Sequence, residues 1–289
     1  MFITITIAFI LIIAGTIFVA MMKNVQLTAF TQVATTTTIA PIEHAITTTN
    51  SSLETTTDPA IGVFDADSTP FGLTYGDWTA RWWQWAYSIL RDIHPAYDDT
   101  GKYCTIEQNG PVWFFPGTYG KPVVRECTIP HGRAILFPIL NSECSFAEFL
   151  ELKTLQQLRN CAKTFQDQVI QLQASIDGVD IPKSELEKYR IQSPPFNFTL
   201  PKDNILGLPA NTSTQGIADG NWVFLKPLSP GIHGIKFKGD TVDANITTTI
   251  TTPNNNLTSA ATNNSSSSFA FPTGWNFETI YRITVIPTK

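Results

Sequence analysis

The sequence predicts a mainly β protein, a β-sandwich of the jelly-roll or immunoglobulin type with two or three short helices. An N-terminal transmembrane or signal helix precedes it. Two observations predict the sandwich: short apolar runs separated by Gly and Pro turn signals in the middle of the chain, and alternating apolar and polar residues in its second half. An uncharged apolar run at the start of the chain predicts the N-terminal helix.

The first predicted helix lies in the most aromatic stretch, residues 77–144, which holds five of the seven tryptophans. Asp77 is placed to cap the first turn, and Pro95 predicts that the helix ends near Ile93. One face of a helix is indicated by the spacing of Trp78, Trp82, Trp85 and Ile89. Such a face is typical of core packing against a sheet, and the alternative is a stacking platform for sugars. The candidate ligand surface is Trp82, Trp83 and Trp113.

Strands are predicted on both sides of the second helix. The capping-box pair Thr154 and Gln157 predicts that this helix runs from about Leu155 to Asp167. The sequence Asp177-Gly178 predicts a hairpin turn. Predicted strands or strand-like runs cover 103–106, 111–115, 123–127, 134–139, 170–176, 179–181, 189–191, 196–200, 222–226, 232–238 and 280–286.

A series of short motifs runs through the middle of the chain: Trp78…Trp82-Trp83-Gln84-Trp85, Thr100-Gly101-Lys102-x-Cys104, Gly110-Pro111-Val112-Trp113-Phe114, Arg125-x-Cys127-x-Ile129-Pro130, Ile135-Leu136-Phe137-Pro138, Glu143-Cys144-Ser145, Asp219-Gly220-Asn221-Trp222-Val223, Leu225-Lys226-Pro227-Leu228-Ser229-Pro230-Gly231 and His233. Through these motifs the chain resembles a group of uncharacterised secreted archaeal and bacterial proteins over roughly residues 72–239. The resemblance implies no activity, because no function is known for the group.

The predicted organisation has three parts. Residues 1–23 form a transmembrane anchor or signal peptide, and the absence of a preceding basic residue favours an uncleaved anchor. Residues 24–60 are a Thr-rich disordered spacer. Residues 61–289 form one extracellular domain, with a Trp/Cys-rich part at 71–165 and sandwich strands at 166–289. Within the latter, 243–268 is a Thr-, Asn- and Ser-rich disordered loop.

The four cysteines predict two disulfides and therefore an oxidising compartment. Three pairings are open. Turn signals between Cys104 and Cys127 favour that pair, which leaves Cys144 with Cys161. The second bridge requires loop after Cys144, because one continuous helix would hold the two cysteines about 25 Å apart at about 1.5 Å per residue.

Glycosylation acceptors of the Asn-x-Ser/Thr type agree with an external location, at the cell surface or secreted. They are Asn50, Asn197, Asn211, Asn245, Asn256, Asn263 and Asn264.

No catalytic, metal or cofactor motif stands out, so the sequence assigns no catalytic residue, metal ligand or cofactor. The net charge of −5 and the lack of a basic patch do not favour nucleic acid as a partner. A membrane, through the N-terminal helix, and a glycan or cell-envelope protein are the expected partners. Carboxylates in the central stretch are Asp77, Asp98, Asp99, Glu107, Glu126 and Glu143.

Two functions from different classes are therefore expected. The first is a non-catalytic surface domain that binds an envelope component, a glycan or a protein. The alternative is a secreted polysaccharide hydrolase with paired carboxylates in a Trp-lined cleft. Two carboxylates that face each other beside Trp82, Trp83 or Trp113 would favour the hydrolase.

Overall fold

A computed structural model describes residues 62–119, 121–242 and 276–288, all within one compact unit. Its α-helices are α1 (Tyr75–Ser88), α2 (Leu155–Gln166) and α3 (Lys183–Lys188), and short 3-10 turns cover Pro70–Gly72 and Arg91–Ile93. Its strands are β1 (Val112–Phe114), β2 (Val123–Pro130), β3 (Ala134–Ser145), β4 (Val169–Ile176), β5 (Val179–Asp180), β6 (Arg190–Gln192), β7 (Phe196–Thr199), β8 (Ser213–Leu225), β9 (Gly231–Thr241) and β10 (Asn276–Ile286).

These strands form two five-stranded sheets, as expected for a mainly β fold. The first sheet has the order β1-β3-β8-β6, with β7 also paired to β8. The second sheet has the order β2-β10-β9-β4-β5. Both sheets are mixed, because β1 runs parallel to β3 and β2 runs parallel to β10, whereas the other pairs are antiparallel.

The predicted boundary at residue 165 does not separate the sandwich from the rest of the domain. Strands β1, β2 and β3 lie before it, yet they contribute to both sheets. The reason is that β2 pairs with the last strand, β10, and β3 pairs with β8, so residues far apart in the chain complete each sheet. The apolar run Tyr103–Ile106, predicted as β structure, is a series of turns instead.

Strand β3 is buried on both faces, which explains its unbroken apolar run. Ile135 and Phe137 pack in a core between the two sheets. Ala134 and Leu136 point the other way, into a second core that α1 covers. The domain is therefore layered as helix, first sheet and second sheet.

Helix α1 begins three residues earlier than the tryptophan spacing indicates. Thr74 is its cap, and the side chain of Asp77 completes a capping box by accepting from the backbone N–H of Thr74 at 3.0 Å. The helix ends at Ser88 rather than near Ile93, because Ile89 is already extended. Burial extends beyond the predicted stripe, since the intervening Trp83 and Tyr87 are also buried.

Both disulfides have the predicted pairing, Cys104–Cys127 and Cys144–Cys161, with Cα–Cα distances of 5.9 and 6.1 Å. Helix α2 begins at Leu155 behind a Thr154 capping box, and residues 146–154 form turns that bring Cys161 back to β3. Leu158 and Ala162 lie on the buried face of this helix, as predicted, whereas Leu155 is exposed.

The N-terminal helix, the spacer and the 243–268 loop lie outside the described residues. Within the described ranges, no helix combines the length and apolar character that a membrane crossing requires.

Candidate functional site

A bulge in β3 turns Glu143 toward helix α1. Pro138 pairs with Trp222 and Leu140 pairs with Asn221, so two residues of β3 advance for one of β8 and Ile139 is the extra residue. Side chains alternate along a strand, and an extra residue reverses which parity faces which side. If all of these residues alternated regularly, with Ile139 present but no bulge, Glu143 would share a side with Ile135 and Phe137.

The Glu143 carboxyl is buried and fixed at one oxygen. The hydroxyl of Tyr87, in the last turn of α1, donates to Glu143 Oε2 at 2.6 Å. Glu143 Oε1 receives no hydrogen bond from an N–H or a hydroxyl of the described residues. The opposing strand makes room for this group at Gly216, where a Cβ atom would lie 2.1 Å from Glu143 Oε1.

A second carboxyl, that of Glu148, lies beside it. Glu148 is in the turns that follow β3, and the Ser145 hydroxyl donates to its Oε2 at 2.5 Å. The two carboxyls lie close enough to hydrogen bond to each other, which requires that one of them is protonated. Burial and the adjacent negative charge of Glu148 raise the pKa of Glu143 well above its usual value, and burial also raises the pKa of Glu148.

The carboxyl pair lies in a cavity of about 400 Å³, which we call the glutamate pocket. Its aromatic wall includes Trp82 and Trp83 from α1. Tyr97 and Tyr119 stack at 4.9 Å between ring centroids and are both partly exposed, so they mark the solvent side. The remaining lining residues are Ala86, Tyr87, His94, Ala96, Pro116, Gly117, Thr118, Pro138, Ile139, Leu140, Asn141, Ser142, Phe165, Ile205, Leu206, Phe237 and Phe277.

The phenols beside the pair remain protonated at neutral pH. Burial and the Glu143 carboxyl raise the pKa of Tyr87 well above its usual value. Desolvation of its hydroxyl, together with the neighbouring Tyr97 and Glu148, raises the pKa of Tyr119, although part of the residue faces solvent. These hydroxyls are therefore hydrogen-bond donors rather than bases.

His94 lines the pocket but is committed to the backbone. Its Nδ1 accepts from the Ala96 N–H at 3.1 Å, which leaves Nε2 as the donor to the Ala86 carbonyl at 3.1 Å. Burial lowers the pKa of His94 to about 4, so the ring is neutral at physiological pH. With both nitrogens occupied, His94 holds the turn after α1 in place.

The buried Arg125 of β2 braces the same wall from behind. The Arg125 side chain is almost wholly enclosed and stacks on the Tyr281 ring at 5.5 Å. Its guanidinium donates to the backbone carbonyls of Ala96, Asp98, Pro116 and Gly117 and to the hydroxyl of Tyr281, at 2.6–3.1 Å. Three of these carbonyls belong to residues that line the pocket.

The structure separates the predicted ligand surface. Trp82 and Trp83 line the pocket, whereas Trp113 packs in the core between the sheets. Trp82 is also fixed through its indole N–H, which donates to the Phe115 carbonyl at 3.0 Å. The tryptophans therefore form a largely buried wall rather than an exposed platform.

Of the six carboxylates singled out in the sequence, Glu143 alone lines the glutamate pocket. Asp77 caps α1 and Asp98 accepts from the N–H groups of Thr100 and Tyr103 in a turn. Asp99 forms an ion pair with Lys121, and Glu107 and Glu126 are exposed. Sequence reasoning missed Glu148, because it lies five residues beyond Glu143 in a non-repetitive segment that has no motif.

Two further histidines lie away from the pocket. His131 is exposed in the β2–β3 turn, and His233 on β9 contacts Asp177 at 2.8 Å. In the described ranges, no group of three or more His, Cys, Asp or Glu side chains has the proximity that a metal site needs. Asn197 and Asn211 are exposed, and the other five acceptor asparagines lie outside the described residues.

Comparison of the chain with protein-family models, with curated proteins and with solved structures gives no significant match.

Proposed function

We propose that this domain is an extracytoplasmic binding module that holds the end of a glycan, one or two sugar units, in the glutamate pocket. The observation that carries the proposal is a pair of carboxyls enclosed between aromatic walls in a cavity of about 400 Å³. Small-molecule sites are typically cavities of roughly 300–1,000 Å³ with mostly apolar walls and a few polar groups. That size suits a sugar unit and excludes a folded protein as the occupant.

The chemistry of the walls favours a neutral, hydroxyl-bearing ligand. Aromatic rings such as Trp83 and Tyr119 offer faces for the C–H surface of a sugar. A half-protonated pair, Glu143 with Glu148, both donates and accepts hydrogen bonds, as sugar hydroxyls do. Asn141 adds an amide whose Nδ2 has no acceptor among the described residues.

The expected setting is the outside of a cell. Two disulfides are typical of proteins from oxidising compartments. The uncharged run of residues 2–22 supports attachment to a membrane through the N-terminal helix, with the Thr-rich segment as a spacer. In this proposal the domain projects from the surface and binds envelope or neighbouring glycans.

The test is titration of the purified full-length chain with mono- and disaccharides, followed by calorimetry and tryptophan fluorescence. We expect saturable binding that quenches Trp82 and Trp83. Glu143→Ala should weaken it at least tenfold, because a hydrogen bond to a charged group contributes roughly 1.5–3 kcal/mol. Leu206→Trp should also weaken binding, since Leu206 is a partly exposed pocket residue and a larger ring there fills the cavity.

Glu151→Gln is the matched control, because Glu151 is exposed in the same turns as Glu148 and does not line the pocket. It should bind sugars as the native chain does. The proposal would be refuted if no sugar showed saturable binding. It would also be refuted if the Glu143→Ala and Leu206→Trp variants bound sugars with the affinity of the native chain. Tight binding of amines in place of sugars would do the same, since it would make the pocket a cation site.

A further inference from the structure

We infer that Glu143 and Glu148 form an acid–base pair that hydrolyses an acyl group, as an ester or amide, carried by the ligand of the glutamate pocket. The inference rests on the proposed function for the sugar part of that ligand. It adds a reaction to a site for which binding alone is proposed above.

Each of the two carboxyls is held by one hydrogen bond from a neighbouring hydroxyl. Tyr87 fixes one oxygen of Glu143 at 2.6 Å, and Ser145 fixes one oxygen of Glu148 at 2.5 Å. The oxygens that remain are those available to each other and to the cavity. Two adjacent carboxyls with one proton between them combine an acid and a base at the same point.

Buried polar atoms of the pocket wall are left without the usual N–H, hydroxyl or carbonyl partners among the described residues. Glu143 is only 8% exposed and lines the pocket, yet its Oε1 receives no hydrogen bond from an N–H or hydroxyl among the described residues. Trp83 is also 8% exposed, and its indole N–H has no acceptor among the described residues. Buried polar atoms are normally hydrogen-bonded, so the indole N–H of Trp83, which has no acceptor in the described part of the pocket wall, points to a bound molecule, whereas the remaining oxygen of Glu143 can share a proton with Glu148.

The close spacing of the two carboxyls determines which bond they can cleave. Glycosidases hold their two carboxyls roughly 5–9.5 Å apart, so that the sugar ring or a water lies between them. Carboxyls close enough to hydrogen bond leave no such gap. A contact pair instead presents its acid and its base to one side of a planar carbonyl carbon, where water attacks and the carbonyl oxygen takes a proton. This geometry favours acyl transfer over glycosidic cleavage, which was the hydrolase expected from the sequence.

In the reaction, ionised Glu148 takes a proton from a water molecule while the water oxygen forms a bond to the acyl carbon. Protonated Glu143 gives its proton to the carbonyl oxygen, which yields a tetrahedral diol. Glu143 then takes a proton from one diol hydroxyl as the carbonyl re-forms and the bond to the leaving oxygen or nitrogen breaks. Glu148 gives its proton to the leaving group. One water is consumed, an acid and an alcohol or amine are released, and the pair again holds one proton.

The test uses the full-length chain with three probes: an O-acetylated monosaccharide, 4-nitrophenyl acetate and a 4-nitrophenyl glycoside. We expect release of acetate from the first two and no cleavage of the third. Glu143→Gln and Glu148→Gln should each lower the turnover rate at least a hundredfold, because general acid–base groups contribute roughly 10²–10⁴-fold. Glu151→Gln should leave the rate unchanged. Circular dichroism and thermal denaturation show whether each variant is folded.

Tyr87→Phe tests the roles within the pair. The Tyr87 hydrogen bond lowers the pKa of Glu143, so its loss should shift the alkaline limb of the pH–rate profile to higher pH while activity persists. Sugar binding with no release of acetate would overturn the catalytic inference and leave the proposed function standing. Cleavage of the glycoside alone would overturn the acyl assignment, and absence of both binding and turnover would overturn both proposals.

Discussion

Glu143 is a carboxyl whose surroundings oppose its charge. Only the Tyr87 hydroxyl favours the ionised form, whereas burial and Glu148 disfavour it. A folded-state pKa above that of the unfolded chain, roughly 4.3, means that this residue stabilises the fold least at high pH. Its stabilising contribution is complete below the unfolded value and is lost as the pH rises through the raised folded value.

This sign leads to a prediction for Glu143→Gln. The amide is neutral at every pH and its NH₂ can donate to Glu148, so the cost of ionising Glu143 inside the fold disappears. We expect the melting temperature of the variant, relative to the native chain, to increase steadily from pH 5 to pH 9. Thermal denaturation across that range measures the difference.

His94 does not confuse this comparison. Its pKa of about 4 in the fold lies below the unfolded value, so its protonation destabilises both chains equally as the pH falls from about 6.5 toward 4. The melting temperature of the Glu151→Gln variant should change with pH in the same way as that of the native chain. Parallel curves for Glu143→Gln as well would show that Glu143 ionises freely in the fold.

Single residues also show where sequence reasoning ends. Glu143 was visible as one of six central carboxylates, but nothing in its neighbours distinguished it from Glu126, which is exposed. Its distinctive features come from Tyr87, 56 positions earlier, and from the space above Gly216. Such contacts depend on packing between distant segments, which local patterns do not encode.

At the scale of elements, the most informative local signals were the side chains that cap helices and the residues that favour turns. The Thr154 capping box predicted the start of α2, and with it the Cys144–Cys161 bridge. Turn residues located most strands, since β4 and the Asp177-Gly178 hairpin lie where expected. The apolar run at 103–106 led to a wrong strand prediction. Cys104 forms a disulfide and Ile106 packs in the interior, but both residues lie in turns.

The Cys144–Cys161 bridge should matter more to the pocket than its energy suggests. Replacing both cysteines with Ala should lower the free energy of unfolding by about 3 kcal/mol, by the entropy of a loop of this length. Cys144 lies between Glu143 and Ser145 in sequence, so we also expect weaker sugar binding. Chemical denaturation and calorimetry measure the two effects.

The Cys104–Cys127 bridge is the matched control, since its separation of 23 residues is similar to the 17 of the other bridge. Its double Ala variant should lose a similar stability. Neither cysteine lines the pocket, so affinity for sugar should be retained. If both double variants lose affinity alike, the pocket depends on overall stability rather than on the neighbouring bridge.

At the scale of the whole molecule, Arg125 connects β2 to two loops that lie outside the sheets. Its guanidinium reaches the turns after α1 and the loop after β1, and it also contacts Tyr281 on the neighbouring strand β10. Arg125→Met should cost about 3 kcal/mol or more, because several buried acceptors lose their donor together. Urea denaturation gives the value.

Arg282→Met offers the comparison, because the Arg282 side chain is 69% exposed and its distance to Glu126 is 3.8 Å. Such a surface pair typically contributes less than about 1 kcal/mol. Equal losses in the two variants would mean that the carbonyl contacts of Arg125 do not hold the domain together.

The sequence predicts the general architecture, but it does not predict which strands pair with each other. Alternation and turns predict strands in two sheets, and the tryptophan spacing predicts a helix laid against one of them. The parallel alignment of β2 with β10 joins residues about 150 positions apart, as in the pair Cys127 and Ile283. Strand periodicity is the same for either neighbour and either direction, so it contains no information about that choice.

The pocket depends on the bulge at Pro138–Leu140, because the bulge sets which side of β3 each later side chain faces. In an unbroken strand, the odd-numbered side chains from Ile135 onward would all face the second sheet. Deleting Ile139 would remove the bulge but leave Leu140 opposite Asn221, so Glu143 would still face α1 and Cys144 would still face α2. Flattening the bulge while keeping Ile139 would instead turn the carboxyl of Glu143 toward α2 and the sulfur of Cys144 toward α1, exchanging an acid for a thiol without altering either residue. Over evolutionary time this strand can therefore lose its extra residue and keep both the bridge and the acid pair, but it cannot keep that residue and lose the bulge.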